Sequence, residues 1–199
     1  MHKLKEVLKN RKRNKLSIDY SHLDFNRIFD KVLQNIQIDR KIFYAAKLNP
    51  HPDTLIKSEE LIRFQRKLRN TLTSQGYEFT ISGNVRGQKV GGKIIFKEKG
   101  VDVRIAVDMV ALACDKKLSK VILCSSDSDL QPAILEVKSR NVEVIYLGFE
   151  KSPNKGLSYT TSRTILLNES EILEACNLHR SKKKPQRQKK RGSNLRTKP

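Results

Sequence analysis

The second half of the chain alternates helical patterns with short, mostly apolar runs, and this alternation constrains the fold most. Helical patterns cover residues 101–113 and 130–139, and the apolar runs 121–124 and 142–147 follow them in turn. Helix, apolar strand, helix, apolar strand is typical of parallel β-α-β units. Strands this apolar are usually covered on both faces. The sequence therefore predicts a three-layer α/β/α, Rossmann-like domain with a mainly parallel sheet over residues 17–178.

The first half has similar but less regular patterns. Asp19 or Ser21 is a candidate cap for its first helix. The glycine-rich segment 83–92 predicts a mobile basic loop, with a flexible hairpin connection as the alternative. The other predicted elements are helices over 23–36 and 54–74 and strands over 41–46 and 77–81.

Positive charge is concentrated at the two ends of the chain. The formal net charge is +20, from 41 Lys and Arg against 21 Asp and Glu. Residues 180–199 hold ten basic residues and no acidic one, and residues 1–16 hold seven basic residues and one acidic one. We therefore divide the chain into a basic N-terminal segment (1–16), the α/β domain and a disordered basic tail (179–199). Such charge favours a polyanionic partner, nucleic acid before an acidic membrane surface.

Several classes of protein are excluded. No run approaches the ~20 apolar residues of a membrane span, and the N-terminus lacks the apolar run of a secretory signal. Cys114, Cys124 and Cys176 are widely spaced and form no Cys-x-x-Cys pair. A disulfide scaffold and a structural zinc site are therefore not expected. The predicted location is the cytoplasm.

Acidic residues follow the apolar run 121–124 directly, in the sequence Ser125-Ser126-Asp127-Ser128-Asp129. Ligands of open α/β sheets bind beyond the carboxyl ends of the strands, so Asp127 and Asp129 fall where this fold keeps active sites. Either carboxylate could instead serve simply as the cap of the next helix.

A second acidic element begins the helix at 101–113. Asp102 lies in its first turn and Asp108 six residues later, about 240° around the helix axis. The two side chains therefore do not both point into one site. Asp108 lies among apolar residues and needs a partner or a metal there.

Clustered carboxylates of this kind suit a divalent cation. They repel one another, and their pKa values rise unless a cation neutralises them. Hard ions such as Mg²⁺ prefer carboxylate and water ligands. A metal held in this way can orient water and stabilise charge on a phosphoryl group, which suits phosphodiester hydrolysis.

Two blocks of this sequence resemble the NYN domain, the LabA-like branch of the PIN-like nucleases. They are Lys99-Gly100-Val101-Asp102 with Asp108, and Ser125 to Leu130 with the following Pro132. The resemblance implies a Rossmann-like fold and RNA cleavage dependent on Mg²⁺ or Mn²⁺. By position, Asp102, Asp127 and Asp129 would hold the metal, Asp108 would lie beside it, and Ser125 would supply the hydroxyl that opens the acidic loop.

The sequence departs from the family pattern at three places. Ser126 replaces a glycine and Leu130 a phenylalanine, and both changes are mild. The family's first strand, which ends in Asp-Gly-x-Asn, has no match here, since Asp19 fits better at the start of a helix. We therefore expect a truncated or degenerate member, with neighbouring strands left unpaired and an activity that is weakened or lost.

Basic residues in two segments are candidates for binding the RNA backbone. The alternative for the tail is a solvated segment without a role; because it lacks aromatic residues, any binding there is expected to be independent of sequence. Single-stranded RNA is the expected partner. The candidates are Arg86, Lys89 and Lys93 in the glycine-rich segment, and Lys182, Lys183, Lys184, Arg187, Lys189, Lys190 and Arg191 in the tail.

Two other functions compete with the metal-dependent ribonuclease. The first is a non-catalytic RNA-binding module on a degenerate or truncated NYN fold. The second is a phosphatase that uses Asp127 or Asp129 covalently, because phosphoaspartyl chemistry also needs acids after a strand. The sequence leaves the oligomeric state open.

Overall fold

The computed structural model describes residues 23–91 and 93–175, in which helices and strands alternate along the chain. In chain order they are α1 (Phe25–Asp30), β1 (Ile42–Lys47), α2 (Leu55–Ser74), β2 (Glu78–Val90), β3 (Lys93–Lys99), α3 (Val101–Cys114), β4 (Lys120–Leu123), α4 (Gln131–Lys138), β5 (Glu143–Phe149), α5 (Lys155–Thr160), β6 (Arg163–Leu167) and α6 (Glu169–Ala175). Short 3₁₀ turns precede α2 and α4.

The strands form two three-stranded sheets, in the orders β1-β2-β3 and β4-β5-β6. All neighbours run parallel except β2 and β3, which form an antiparallel hairpin. The prediction of a mainly parallel sheet is confirmed. Among the described residues, β1 pairs with β2 alone and β4 with β5 alone, so each has one edge without a strand partner.

Helices cover both faces of the strands, which gives the predicted three layers. One core packs α3, α4 and α5 against β4 and β5, around Ile134, Val144 and Tyr146. The other packs α1, α2 and α6 against strands of both sheets, with Phe43 and Ile122 at its margin. Strand β5 is the most deeply buried, as expected for the middle strand of a parallel sheet.

The elements around the acidic residues lie where the sequence predicts them. Helix α3 begins after Gly100, whose φ of +95° favours glycine. Helix α4 accepts Pro132 in its first turn, where the missing N–H costs no helical hydrogen bond. The 3₁₀ turn over Ser128–Leu130 separates the end of β4 from α4.

The first helix is shorter than predicted and is capped by a different residue. Its cap is Asp24, whose Oδ1 accepts the Arg27 N–H at 3.0 Å. The predicted caps, Asp19 and Ser21, lie outside the described residues. The helix ends at Asp30, but the turns that follow it still place Leu33 in the core. This is why the apolar spacing in the sequence extends beyond the helix.

The prediction of a mobile loop over residues 83–92 is wrong for the residues that the structure describes there. Strand β2 continues to Val90 and pairs with β3 from Asn84 to Val90, so the segment forms a hairpin, as the alternative interpretation proposed. The glycines serve close approach: a Cβ on Gly83 would collide with the carbonyl oxygen of Lys99, and a Cβ on Gly87 would lie 2.8 Å from the His51 ring. Cross-strand pairing therefore overrides the turn-like composition.

No described helix is long and apolar enough to cross a membrane. The basic N-terminal segment (1–16), the tail (179–199) and Cys176 lie outside the described residues.

Candidate functional site

The acidic loop between β4 and α4 is held by its own backbone and side chains. The Asp127 N–H donates to Ser125 Oγ at 3.1 Å, and the Asp129 N–H donates to Asp127 Oδ1 at 2.9 Å. Ser125 therefore shapes the loop. Asp127 caps the 3₁₀ turn, so the predicted capping role is present, but the bond leaves its second carboxylate oxygen for other partners.

Asp102, in the first turn of α3, and Asp127 are brought together beyond the carboxyl end of β4. Both side chains are half-buried. Burial, followed by the adjacent carboxyl of Asp127 and the charge of Glu98, raises the pKa of Asp102 to about 6. The two carboxyl groups are close enough to interact directly, and paired carboxylates of this kind favour a proton or a cation between them. We call Asp102 and Asp127 the acidic pair.

Asp129 lies on the same turn and is exposed. Its backbone is tied to Asp127, but no described group of three or more His, Cys, Asp and Glu side chains is gathered as in a metal site. The structure thus brings two of the three predicted metal ligands together and places the third on the adjoining turn.

Glu98 is a neighbour of the acidic pair that the sequence analysis missed. Its Oε1 accepts the Val101 N–H at 3.0 Å and so satisfies a free donor at the start of α3, where Gly100 has no side chain to do so. Its negative charge contributes to the raised pKa of Asp102. The sequence feature that could have identified Glu98 is an acidic residue three positions before a predicted helix start.

Asp108 is engaged elsewhere. The Tyr44 hydroxyl donates to its Oδ2 at 2.9 Å, and Arg104 Nε donates to its Oδ1 at 2.8 Å. Burial, and then the bond to Asp108, raise the pKa of Tyr44, which keeps the hydroxyl protonated as a donor. The partners that this acid requires among apolar residues are therefore Tyr44 and Arg104. The bond from Tyr44 joins β1 to α3.

A second loop braces the acidic loop. Asn154 Nδ2 donates to the Ser126 carbonyl oxygen at 2.9 Å, and its Oδ1 accepts the Leu157 N–H as the cap of α5. Gln131 Nε2 similarly donates to Thr160 Oγ1 at 2.8 Å. The segment after β5 thereby fixes the loop that carries Asp127. The role of Asn154 as the cap of α5 could be predicted from the sequence. Its contact with Ser126 could not, because the two residues are 28 positions apart.

The predicted basic residues are placed unequally. Arg86 is exposed on the hairpin. Lys89 and Lys93 lie in β2 and β3, but their side chains are outside the described part of the structure. The predicted tail residues, Lys182 to Arg191, lie outside the described residues as well.

Comparison with known proteins agrees with this architecture. The NYN domain family model matches residues 9–168 of the chain. A crystal structure of a Vibrio parahaemolyticus protein of unknown function is similar in fold, with a TM-score of 0.50 and 21% sequence identity over 82% of this chain and 88% of that one. No curated protein matches the chain.

Proposed function

The chain belongs to the NYN domain family, a branch of the PIN-like nuclease superfamily, and we propose that it is a metal-dependent ribonuclease that hydrolyses RNA phosphodiester bonds. The observation that carries the proposal is the acidic pair. Asp102 and Asp127 come from different elements yet face each other where α/β sheets bind their ligands.

The donor chemistry of the acidic pair fits a divalent cation. Carboxylate oxygens are hard ligands, and a cation would offset the burial and the repulsion that raise the pKa of Asp102. Asp102 and Asp127 would hold Mg²⁺ or Mn²⁺, with Asp129 available on the adjoining turn. Such an ion lowers the pKa of bound water and stabilises charge that develops on a phosphoryl group.

The protein's own residues would supply position and charge. Ser125 and Asn154 fix the loop that carries Asp127, so its carboxylate needs little reorganisation during the reaction. Exposed basic side chains such as Arg86 would recruit the RNA by neutralising phosphates. We propose single-stranded RNA as the substrate. We place the protein in the cytoplasm, which fits the free thiols of Cys114 and Cys124.

The proposal is tested by incubating labelled single-stranded RNA with the full chain in Mn²⁺ or in EDTA. Asp127→Asn removes one charge of the acidic pair, and Asp115→Asn makes the same change at the far end of α3. We expect cleavage in Mn²⁺ that EDTA and Asp127→Asn abolish and Asp115→Asn retains. Cleavage that persists in EDTA, or in Asp127→Asn, would refute the assignment.

A non-catalytic RNA-binding module is the second candidate, and the strong positive charge favours it. A net charge of +20 supports phosphate binding whether or not the acidic pair holds a cation. This candidate predicts RNA binding that weakens steeply with salt, is insensitive to EDTA and leaves the RNA intact in Mn²⁺.

A further inference from the structure

We propose that the exposed face of the β2–β3 hairpin binds consecutive phosphates of the RNA strand through Arg86, Lys97 and Lys99. We call these three residues the basic strip. The inference rests on the proposed function and deepens it, since it states where the RNA backbone enters the site.

The pairing register places the three cations on one face of the hairpin. Arg86 lies directly opposite Lys97, and Asn84 lies directly opposite Lys99. Successive side chains of a strand point to opposite faces, so residues two apart share a face and are separated by about 7 Å. All of these side chains are exposed. The basic strip is therefore a continuous surface.

The charges of the basic strip are not neutralised within the described part of the chain. None of the described salt bridges includes Arg86, Lys97 or Lys99. Glu98, the one acid of β3, points to the other face and is bonded to Val101. Like charges directly opposite each other destabilise a strand pair. A polyanion lying on this face would remove that repulsion.

The opposite face anchors the hairpin to the domain. The Phe96 ring contacts the His51 ring edge-to-face at 6.1 Å between centroids, and Lys57 Nζ lies 5.5 Å from the centre of the Phe96 ring. Gly87 approaches His51 so closely that a side chain there would collide with it. The basic strip is thus presented by a packed element.

The hairpin projects past the carboxyl end of β1. Strand β1 ends at Lys47, opposite Asn84, whereas β2 continues to Val90, about 20 Å further. At its base, Gly83 lies against Lys99 and Gly100, immediately before α3. Lys99 precedes Asp102 by three residues. A strand held along the basic strip is therefore led towards Asp102.

The test compares two triple variants of the full chain with equal loss of charge. One is R86A/K97A/K99A. The matched control is R66A/K67A/K151A, which removes one arginine and two lysines that are exposed on α2 and after β5 and that, like the basic strip, are in none of the described salt bridges. Affinity for single-stranded RNA is measured in EDTA over a series of salt concentrations, so that cleavage plays no part.

We expect the strip variant to bind roughly tenfold or more weakly than wild type, with a salt dependence of log affinity that is lower in slope by about 2, because each phosphate contact to a single strand contributes about 0.7. The control should lose distinctly less. A K97R/K99R variant should keep wild-type affinity, and the strip variant should melt at or above the wild-type temperature because the Arg86–Lys97 repulsion is gone.

The outcomes separate this inference from the nuclease proposal. Equal losses in the two triple variants, or none in the strip variant, would overturn the basic strip while leaving metal-dependent cleavage intact. Wild-type protein that binds no RNA in EDTA would overturn it as well. Weakened binding in the strip variant, together with no cleavage by wild type in Mn²⁺, would support the basic strip and refute the nuclease.

Discussion

The carboxyl group of Asp102, at the start of α3, lies beside that of Asp127, after β4, and burial together with this contact raises the pKa of Asp102 to about 6. Two acids that face each other without a cation cost stability once both are ionised. A bound cation would relieve this cost. The effect of the acidic pair on stability can therefore be measured without any substrate.

Asp102→Asn is predicted to stabilise the metal-free protein at neutral pH. The folded pKa of about 6 lies above the ordinary value of 3.8, so wild type loses stability as the pH rises from about 4 through 6. Asparagine does not ionise and escapes that loss. The gain at pH 7.5 should be on the order of 1 kcal/mol once solvent screening is allowed for, or roughly 2–4 °C in melting temperature.

Thermal melts of both proteins in EDTA check this. The gain should vanish at pH 4, where wild-type Asp102 is protonated too, and Asp115→Asn should show no such pH dependence. A melting temperature for Asp102→Asn at or below wild type at pH 7.5 would contradict the raised pKa of Asp102.

Mn²⁺ is predicted to raise the melting temperature of wild type through the acidic pair. A ligand at about ten times its Kd stabilises the folded state by roughly 1–2 kcal/mol. The increase should be larger at pH 7.5 than at pH 5, since a proton on Asp102 competes with the ion. Differential scanning fluorimetry measures it. An equal increase in Asp127→Asn would place the ion elsewhere.

Asn154 is predicted to position the acidic loop through its bond to the Ser126 carbonyl. Asn154→Ser keeps a residue that caps α5 but is too short to reach Ser126. The variant should cleave RNA about tenfold more slowly, because a misplaced carboxylate must reorganise, with RNA affinity unchanged. A cleavage rate equal to wild type would show that the bond has no such role.

Tyr44 and Asp108 are predicted to stabilise the fold rather than to take part in the reaction. Tyr44→Phe removes a hydrogen bond to a charged group and should cost about 1.5–3 kcal/mol. Asp108→Asn should cost a similar amount, and the double variant less than the sum. Urea titrations measure these values. Loss of the Mn²⁺ effect in Tyr44→Phe, with folding intact, would instead assign this pair to the cation site.

The sequence predicted the second half of the domain because pattern and environment agree there. The apolar residues of β4 predict a buried strand, and the charged residues directly after it cannot lie in the core. Because α/β sheets bind ligands beyond the carboxyl ends of their strands, the fold class predicts the position of these acids. Helix α3 was readable from Gly100 and its apolar spacing. The contact between Asp102 and Asp127 depends on how α3 packs beside β4, and no local sequence pattern predicts that packing.

Residues 83–92 were interpreted as a mobile loop, with a hairpin connection only as the alternative, because their composition is typical of a loop. Gly83 and Gly87 are there for close contact with Lys99 and His51, residues distant in sequence or on the partner strand. The partner of Asp108 could be anticipated as a need, but its identity could not, since Tyr44 lies 64 residues away. Contacts of this range are set by tertiary packing and leave no periodic signal.

The most direct measurement is the single-turnover rate of cleavage of labelled single-stranded RNA, with enzyme in saturating excess so that differences in affinity cancel. In Mn²⁺ at pH 7.5, wild type and Asp115→Asn should cleave at the same rate, and Asp102→Asn and Asp127→Asn should each be slower by roughly 100-fold or more. RNA that stays bound and intact with wild type in Mn²⁺, or that is cleaved equally by the acidic-pair variants, would contradict the assignment of the acidic pair as the catalytic centre.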